Sequence, residues 1–302
     1  MRALASFIMQ GRAQAVGVVT LAAALSLLLP LFSMFSAAAL ALVALRKGYI
    51  ESLWVFGIAL AMTVGIGLFT VGSADLGFWF GVLLWLPILL IAWTLRASAN
   101  LATSLELAFG FGCLAVLAIY SISADPAAYW AEWLQALLKP ILAGAPPEVD
   151  VKAISGNISK VARYMSGMVV GSWVIFLVLI LLMARWWQDM LFNPGGFRGE
   201  FLTMRMHAGL AYVAVAAMLV AAMQDGTVGE IASNLGVQFL LLYTFGGLAV
   251  MHGLVSKPGS GSFLMAGLYV MLFFVPYLAL PVALVGVSDV WLDWRRRQGL
   301  PG

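Results

Sequence analysis

The chain has 302 residues, of which 63% are hydrophobic and only 10% are charged, with a mean hydropathy of +1.02. A soluble domain carries about 25% charged residues, so this composition excludes a water-exposed surface over most of the chain. The net charge of +3 comes from short basic clusters between apolar runs, which is typical of loops retained on the cytoplasmic side of a membrane. We therefore expect an integral protein of the bacterial inner (cytoplasmic) membrane that contacts the lipid bilayer and no nucleic acid.

The N-terminal apolar run predicts two short helices. It extends from Ala13 to Leu45 between Arg12 and Arg46, which is too long for one span of about 20 residues. Pro30 lies near its middle, and proline removes a backbone donor and disfavours helix before it. We therefore expect a short N-terminal hairpin with arms Ala13–Leu29 and Leu31–Leu45, which places its basic ends on the same side, the cytoplasmic one.

Seven further apolar runs follow, and together with the hairpin they predict an all-α, polytopic transmembrane bundle. These runs are Ser52–Val71, Gly77–Leu95, Ser104–Ile122, Gly167–Met183, Ala208–Met223, Val237–Val255 and Phe263–Val287. With a cytoplasmic N-terminus they give eight or nine spans in a single integral domain over residues 1–302. The count stays open because the last run contains Pro276 and Pro281 and is either continuous, broken or re-entrant.

The longest polar stretch, residues 123–165, is predicted to be an extracytoplasmic amphipathic insertion. Its apolar residues recur at helical spacing, first from Trp130 to Ile141 and then from Val151 to Val161, on either side of Ala145-Pro146-Pro147. This pattern favours two amphipathic helices on the membrane surface. The alternative is a lid over a cavity between the spans.

The segment from Asp189 to Phe201 is more polar and longer than a simple connection requires. Asn193-Pro-Gly-Gly is strong turn chemistry. Two aromatic rings and an expected ion pair then precede the next span, supplied by Phe197, Arg198, Glu200 and Phe201. One interpretation is a membrane-surface anchor. The other is a docking site for a cytoplasmic partner.

Charged residues inside the spans are scarce, and catalytic patterns are missing from the sequence. Glu106 is the deepest acidic candidate, about one turn inside its segment, where it either reaches toward water or contacts a ligand. The sequence contains no phosphate-binding loop, dinucleotide turn, His-Glu-x-x-His pair or nucleophile elbow. We therefore expect neither an enzyme nor a bound cofactor or metal.

The chain ends in Gly286-Val-Ser-Asp289-Val-Trp-Leu-Asp293-Trp-Arg295. This ending resembles the Gly-x-x-Asp-x-aromatic-x-Asp-aromatic-Arg ending of YybS-like predicted bacterial membrane proteins. The 193–201 loop and the hairpin closed by Arg46-Lys47-Gly48 are similar to the proteobacterial branch of that family. The resemblance makes Asp289, Asp293 and Arg295 candidate contacts of a partner or ligand.

The YybS-like family is a domain of unknown function, and its fold is thought to be similar to the substrate-binding subunits of energy-coupling-factor transporters. Those subunits have six helices, begin with a hairpin, bind a small molecule near the outer face and depend on separate ATPase and coupling subunits. About three extra segments after the sixth depart from that pattern.

Two functional hypotheses follow. The first is a small-solute-binding or transporter-like subunit without its own ATPase. The alternative is a non-catalytic scaffold that docks membrane or cytoplasmic proteins through its cytoplasmic loop.

Overall fold

The computed structural model describes residues 1–143, 151–255 and 261–297, and every regular element in these ranges is helical. Five of the described helices are long and apolar enough to cross a membrane: Tyr49–Val71, Asp75–Ser98, Leu101–Ile122, Gly156–Phe192 and Gly226–Leu254. Large apolar side chains stand exposed along them, such as Phe69, which is 93% exposed. Since water would not tolerate such a surface, the prediction of an all-helical membrane protein is confirmed at this level.

The chain forms two compact units. Unit 1 comprises Met1–Ala108 and Ile175–Met204, and unit 2 comprises Phe109–Val174 and Arg205–Gly302. The first nine α-helices are α1 (Arg2–Gln10), α2 (Arg12–Leu25), α3 (Leu31–Lys47), α4 (Tyr49–Val71), α5 (Asp75–Phe80), α6 (Leu86–Ser98), α7 (Leu101–Ile122), α8 (Pro126–Ala143) and α9 (Val151–Phe192). The others are α10 (Gly196–Leu202), α11 (Ala208–Met223), α12 (Gly226–Leu254), α13 (Gly261–Phe274), α14 (Ala279–Leu292) and α15 (Trp294–Arg297). Helices α7 and α9 contribute residues to both units.

Helix α3 is the core of unit 1. It packs against α2, α4 and α6, and all of its residues from Ser36 to Leu45 are buried. Five of them are alanines, which allow close approach between helices. The Ser36 hydroxyl donates to the carbonyl oxygen of Val19 at 2.7 Å and accepts from the indole of Trp85 at 3.1 Å. A π-helical turn, Gly81–Trp85, connects α5 to α6 and ends at this tryptophan.

Two helices are shorter than the corresponding predicted segments. Helix α2 ends at Leu25 rather than Leu29, because Ser26 bonds back to the Ala23 carbonyl at 2.6 Å and Pro30 disfavours helix before it. The predicted run Phe263–Val287 is two helices, α13 and α14, separated by Val275 and a 3₁₀ turn, Pro276–Leu278. Pro276 lacks an N–H and restricts Val275, whose φ/ψ of −128°/78° is not helical.

The polar stretch 123–165 contains α8 and the first part of α9. The stripe beginning at Val151 lies on α9, which continues as one helix to Phe192 and so leads into the next span. The placement of this stretch on the outer membrane surface stays a prediction. The Ala145-Pro146-Pro147 break falls outside the described residues. A 42-residue α-helix is about 63 Å long, roughly twice the thickness of the hydrocarbon core, so part of α9 extends beyond the bilayer.

In unit 2, α12 packs closely on α14 through facing glycines. A Cβ atom on Gly247 would overlap the carbonyl oxygen of Val282, and one on Gly286 would overlap that of Tyr243. The backbones therefore touch at a position where only glycine fits, as small-residue pairs allow in membrane helices.

Candidate functional sites

The loop between α9 and α10 in unit 1 is held by the side chain of Asp189. This side chain is only 9% exposed, and its carboxylate accepts hydrogen bonds from the backbone N–H groups of Gly195 at 3.1 Å and Phe197 at 2.9 Å. Gly195 has φ of +93°, a left-handed conformation that favours glycine. The Asn193-Pro-Gly-Gly turn is therefore tied to the end of α9, which orders the loop.

An ion pair fixes the same loop a second time. Arg185 Nε donates to Glu200 Oε2 at 2.8 Å, and Arg185 Nη2 donates to Glu200 Oε1. The Arg185 side chain is 8% exposed and the Glu200 side chain 32%. The sequence predicted an ion pair here from Arg198 and Glu200, but the partner of Glu200 is Arg185, one helix earlier. This bidentate geometry joins α9 to α10.

Of the other predicted residues of this loop, two are exposed and one is half-buried. Asn193 and Arg198 are exposed, and within the described part of the chain Arg198 makes no ion pair. Phe197 is half-buried beside Phe201, with 6.5 Å between ring centroids. The loop thus exposes the guanidinium of Arg198 and the amide of Asn193, while its backbone conformation is fixed by buried hydrogen bonds.

Several helices of unit 1 carry basic residues at one end, and one of these residues contacts the end of α9 that precedes this loop. The Arg46 guanidinium lies 4.1 Å from the ring centroid of Phe192, at the end of α9. Arg96 Nη1 donates to the carbonyl oxygens of Leu45 at 2.7 Å and Arg46 at 2.8 Å, satisfying the C-terminal end of α3. Arg12 bonds to Glu51 at 2.6 and 2.7 Å. The starts of α2 and α4 and the ends of α3, α6 and α9 therefore form one basic end of unit 1.

Glu106 lies half-buried near the start of α7, in unit 1. Unit 1 also contains a small pocket of about 40 Å³ between α2, α4 and α5, lined by Thr63, Gly67 and Gly77. Small-molecule sites usually enclose about 300–1,000 Å³, so this pocket does not accommodate a vitamin-sized solute.

The C-terminal motif of unit 2 folds into a hydrogen-bonded polar cluster around the buried side chain of Asp289. Asp289 accepts a hydrogen bond from Arg295 Nη2 at 2.6 Å and another from the backbone N–H of Trp294 at 2.9 Å. Arg205 donates to Asp293 at 3.2 Å and to the Asp289 carbonyl at 3.3 Å. Asp293 has φ of +47°, which ends α14 before α15 begins. The three predicted residues are therefore brought together, in bonds to each other and to the chain.

A second polar cluster in unit 2 was missed by the sequence analysis. Asn234 is fully buried on α12, and its amide nitrogen donates to the Tyr120 hydroxyl at 3.1 Å and to the carbonyl oxygens of Arg163 at 2.7 Å and Glu230 at 2.8 Å. Its amide oxygen accepts from the backbone N–H of Gly167. One side chain thus links α7, α9 and α12.

Gln238 follows one turn later on the same face of α12. It is fully buried, and its Nε2 donates to the Gly167 carbonyl at 2.8 Å, whereas its Oε1 makes no hydrogen bond within the described residues. In the sequence the signal for this cluster is two amides four residues apart within an apolar run, which ionisable groups alone do not reveal.

The described residues contain no group of three or more His, Cys, Asp or Glu side chains placed to hold a metal ion. Comparisons of the chain with family models, curated proteins and solved structures give no match.

Proposed function

We propose that this chain is a multi-pass subunit of the bacterial cytoplasmic membrane that docks a cytoplasmic protein on its 193–201 loop. The observation that carries the proposal is the order of the loop. Its backbone is hydrogen-bonded to the Asp189 carboxylate, and the Arg185–Glu200 ion pair holds its second half against α9. A loop already fixed in one conformation loses little entropy when a partner binds. Its exposed Arg198 supplies a charge-assisted contact for an acidic partner surface.

The basic end of unit 1 supports the orientation that this proposal requires. It gathers Arg46, Lys47, Arg96 and Arg198 with the N-terminal Arg12, and positive residues flanking spans are retained in the cytoplasm. The opposite turn, at Ser73 and Asp75, carries no basic residue. We therefore propose a cytoplasmic N-terminus and loop. In this proposal the shorter apolar helices cross the membrane together with the five long ones, which gives eight or nine spans in total. Helices α2 and α3 are the two arms of the N-terminal hairpin.

The test compares proteins that co-purify with the full-length chain and with two charge-reversal variants. Arg198→Glu changes an exposed side chain without a described ion pair, so the fold should be kept. Lys160→Glu makes the same charge change at an exposed position in unit 2 and is the matched control. We expect Arg198→Glu alone to lose one stoichiometric cytoplasmic protein, and a photo-crosslinker at position 198 to attach to that protein. Identical co-purifying proteins for all three chains would contradict the proposal.

Solute transport is a second candidate, and the observation that favours it is Gln238. A buried amide oxygen without a hydrogen bond costs about 1–3 kcal/mol, and polar side chains within a membrane commonly contact substrates. The resemblance to YybS-like proteins implies a transporter-like subunit without its own ATPase. Under this proposal the docked partners are a coupling subunit and an ATPase.

The identity of the co-purifying protein separates the two candidates. A coupling subunit and an ATPase favour the transporter-like subunit, and Gln238→Leu should then abolish solute-stimulated ATP hydrolysis while the partners remain bound. Other cytoplasmic proteins without an ATPase favour a scaffold, and Gln238→Leu should then leave complex formation unchanged.

A further inference from the structure

At the basic end of unit 1, helices α4 and α6 both pack on α3. Tyr49 and Leu53 lie one turn apart on α4 and are 48% and 47% exposed. Leu90 and Trp93 lie three residues apart on α6, and Leu90 is 36% exposed. Tyr49 and Leu53 share one face of α4, Leu90 and Trp93 share one face of α6, and the Tyr49–Trp93 contact brings these two faces together. We call this apolar strip of four side chains the groove.

Two contacts close the groove at one end. The rings of Tyr49 and Trp93 meet edge to face, with 5.2 Å between their centroids, and the Trp93 indole donates to the Ser52 hydroxyl at 3.0 Å. Trp93 and Tyr49 thus join α6 to α4 beside the end of α3. Aromatic side chains of this kind are enriched at the boundary between hydrocarbon and headgroups.

Positive charge lies directly at the closed end. Arg96 follows Trp93 by three residues, and its guanidinium lies against Gly48, whose added Cβ would stand 3.4 Å from Arg96 Cζ. Only one nitrogen of that guanidinium, Nη1, bonds to the α3 carbonyls, and the side chain remains exposed. Lys47 precedes Gly48. Arg12 and Arg46 lie at the same end of unit 1; Arg12 is paired with the Glu51 carboxylate, whereas Lys47 and Arg96 make no ion pair among the described residues.

We propose that this groove binds one anionic phospholipid, with its phosphate at Arg96 and Lys47 and an acyl chain along Tyr49, Leu53, Leu90 and Trp93. The occupant follows from the charge and from the surroundings. Helices α4 and α6 belong to candidate spans, so their exposed apolar faces meet acyl chains. The excess of positive charge at the end of the groove selects a headgroup with net negative charge over a zwitterionic one.

The test measures thermal stability of purified, delipidated full-length protein in detergent after addition of phosphatidylglycerol, phosphatidylcholine or inorganic phosphate. We expect phosphatidylglycerol to raise the melting temperature saturably, and the other two to have at most a small effect. Arg96→Gln and Lys47→Gln should each weaken this apparent affinity about tenfold, because each removes a charge-assisted bond. Lys160→Gln, an exposed lysine of unit 2, is the matched control and should leave the affinity unchanged.

Arg96 also bonds to the end of α3, so Arg96→Gln alone can lower stability without any effect on lipid. Lys47→Gln and the groove variant Leu53→Gln keep the proposal testable, since neither side chain makes a described hydrogen bond. Equal stabilisation by both phospholipids would overturn the proposal, as would an equal effect of Lys47→Gln and Lys160→Gln.

Two further outcomes would also overturn it. Stabilisation by inorganic phosphate equal to that by phosphatidylglycerol would assign the site to the free ion. A crosslink from position 53 to another protein would show that a protein occupies the groove.

Discussion

Arg295 donates a hydrogen bond to the Asp289 carboxylate at 2.6 Å, and the two side chains are only 1% and 6% exposed. The same carboxylate also accepts from the backbone of Trp294, so it holds the short helix α15 against the end of α14. Asp289 and Arg295 thus have a structural role that their sequence pattern alone does not reveal.

Removing one partner of this pair should destabilise unit 2. We expect Asp289→Ala to lower the free energy of unfolding by about 3–5 kcal/mol, because it leaves the Arg295 charge buried. The measurement is thermal or denaturant unfolding in detergent. Asp293→Asn is the control: it breaks a partly exposed pair, asparagine tolerates the left-handed conformation, and the expected loss is below about 1 kcal/mol. Equal losses for both variants would contradict the role of Asp289.

Neighbouring glycines on α12 should respond differently to alanine. A Cβ on Gly247 overlaps the Val282 carbonyl oxygen, whereas one on Gly246 has its nearest neighbour at 3.7 Å, an ordinary contact. We expect Gly247→Ala to destabilise by about 1–3 kcal/mol because α12 and α14 must separate. Gly246→Ala should be neutral or slightly stabilising, since alanine favours helix. The test compares the melting temperatures of the two variants. Equal shifts would show that α12 and α14 are not in backbone contact at Gly247.

The two buried amides of α12 should also differ. Asn234→Ala leaves the Gly167 N–H and the Tyr120 hydroxyl without this partner, and we expect a loss of about 1–3 kcal/mol. Gln238→Met keeps the volume and removes one hydrogen bond together with an amide oxygen that has none among the described residues, so its loss should stay below about 1 kcal/mol. Unfolding in detergent measures both. A larger loss for Gln238→Met would indicate a further partner for its oxygen.

The order of the 193–201 loop should depend on Glu200. Glu200→Gln removes the charge that pairs with Arg185, and we expect faster amide hydrogen exchange from residue 195 to residue 201. Exchange in α4, which makes no described contact with Glu200, serves as the internal reference. Unchanged protection of the loop would show that Asp189 alone orders it.

The proposed orientation predicts labelling of single cysteines. The chain has one cysteine, so Cys113→Ser gives a cysteine-free background. In intact cells, a membrane-impermeant thiol reagent should label Ser73→Cys and should not label Lys47→Cys. Both should be labelled after permeabilisation. The reverse pattern would place the basic end of unit 1 outside.

Composition and apolar run length predicted the membrane class and the position of most long helices, because the bilayer imposes one requirement on every span. The predicted Ser52–Val71 and Ser104–Ile122 lie within α4 and α7, differing by three residues at one end. Proline predicted a boundary at residue 30 and an interruption near residue 276, since a missing N–H acts locally. The lengths of the short helices were less accurate, because capping bonds such as Ser26 to Ala23 do not alter hydrophobicity.

The candidate sites were predictable only in part. The 189–201 loop was evident from its turn residues, whereas the Arg185–Glu200 pair joins residues 15 apart along the chain through a helix end. Asn234 was overlooked because its importance comes from three helices meeting at one amide. Such convergence leaves no pattern in a single segment.

The sequence by itself determined that this protein is helical and belongs in a membrane, because the number and spacing of apolar residues decide whether backbone and side chains prefer lipid to water. Only the tertiary structure decided which polar groups are partners and which glycines are contacts. Hydrogen bonds and close packing depend on distances of a few ångströms between individual atoms, which the hydrophobicity of a segment does not encode. Three contacts depend on such distances: the Arg185–Glu200 pair, the polar cluster at Asp289 and the facing glycines of α12 and α14.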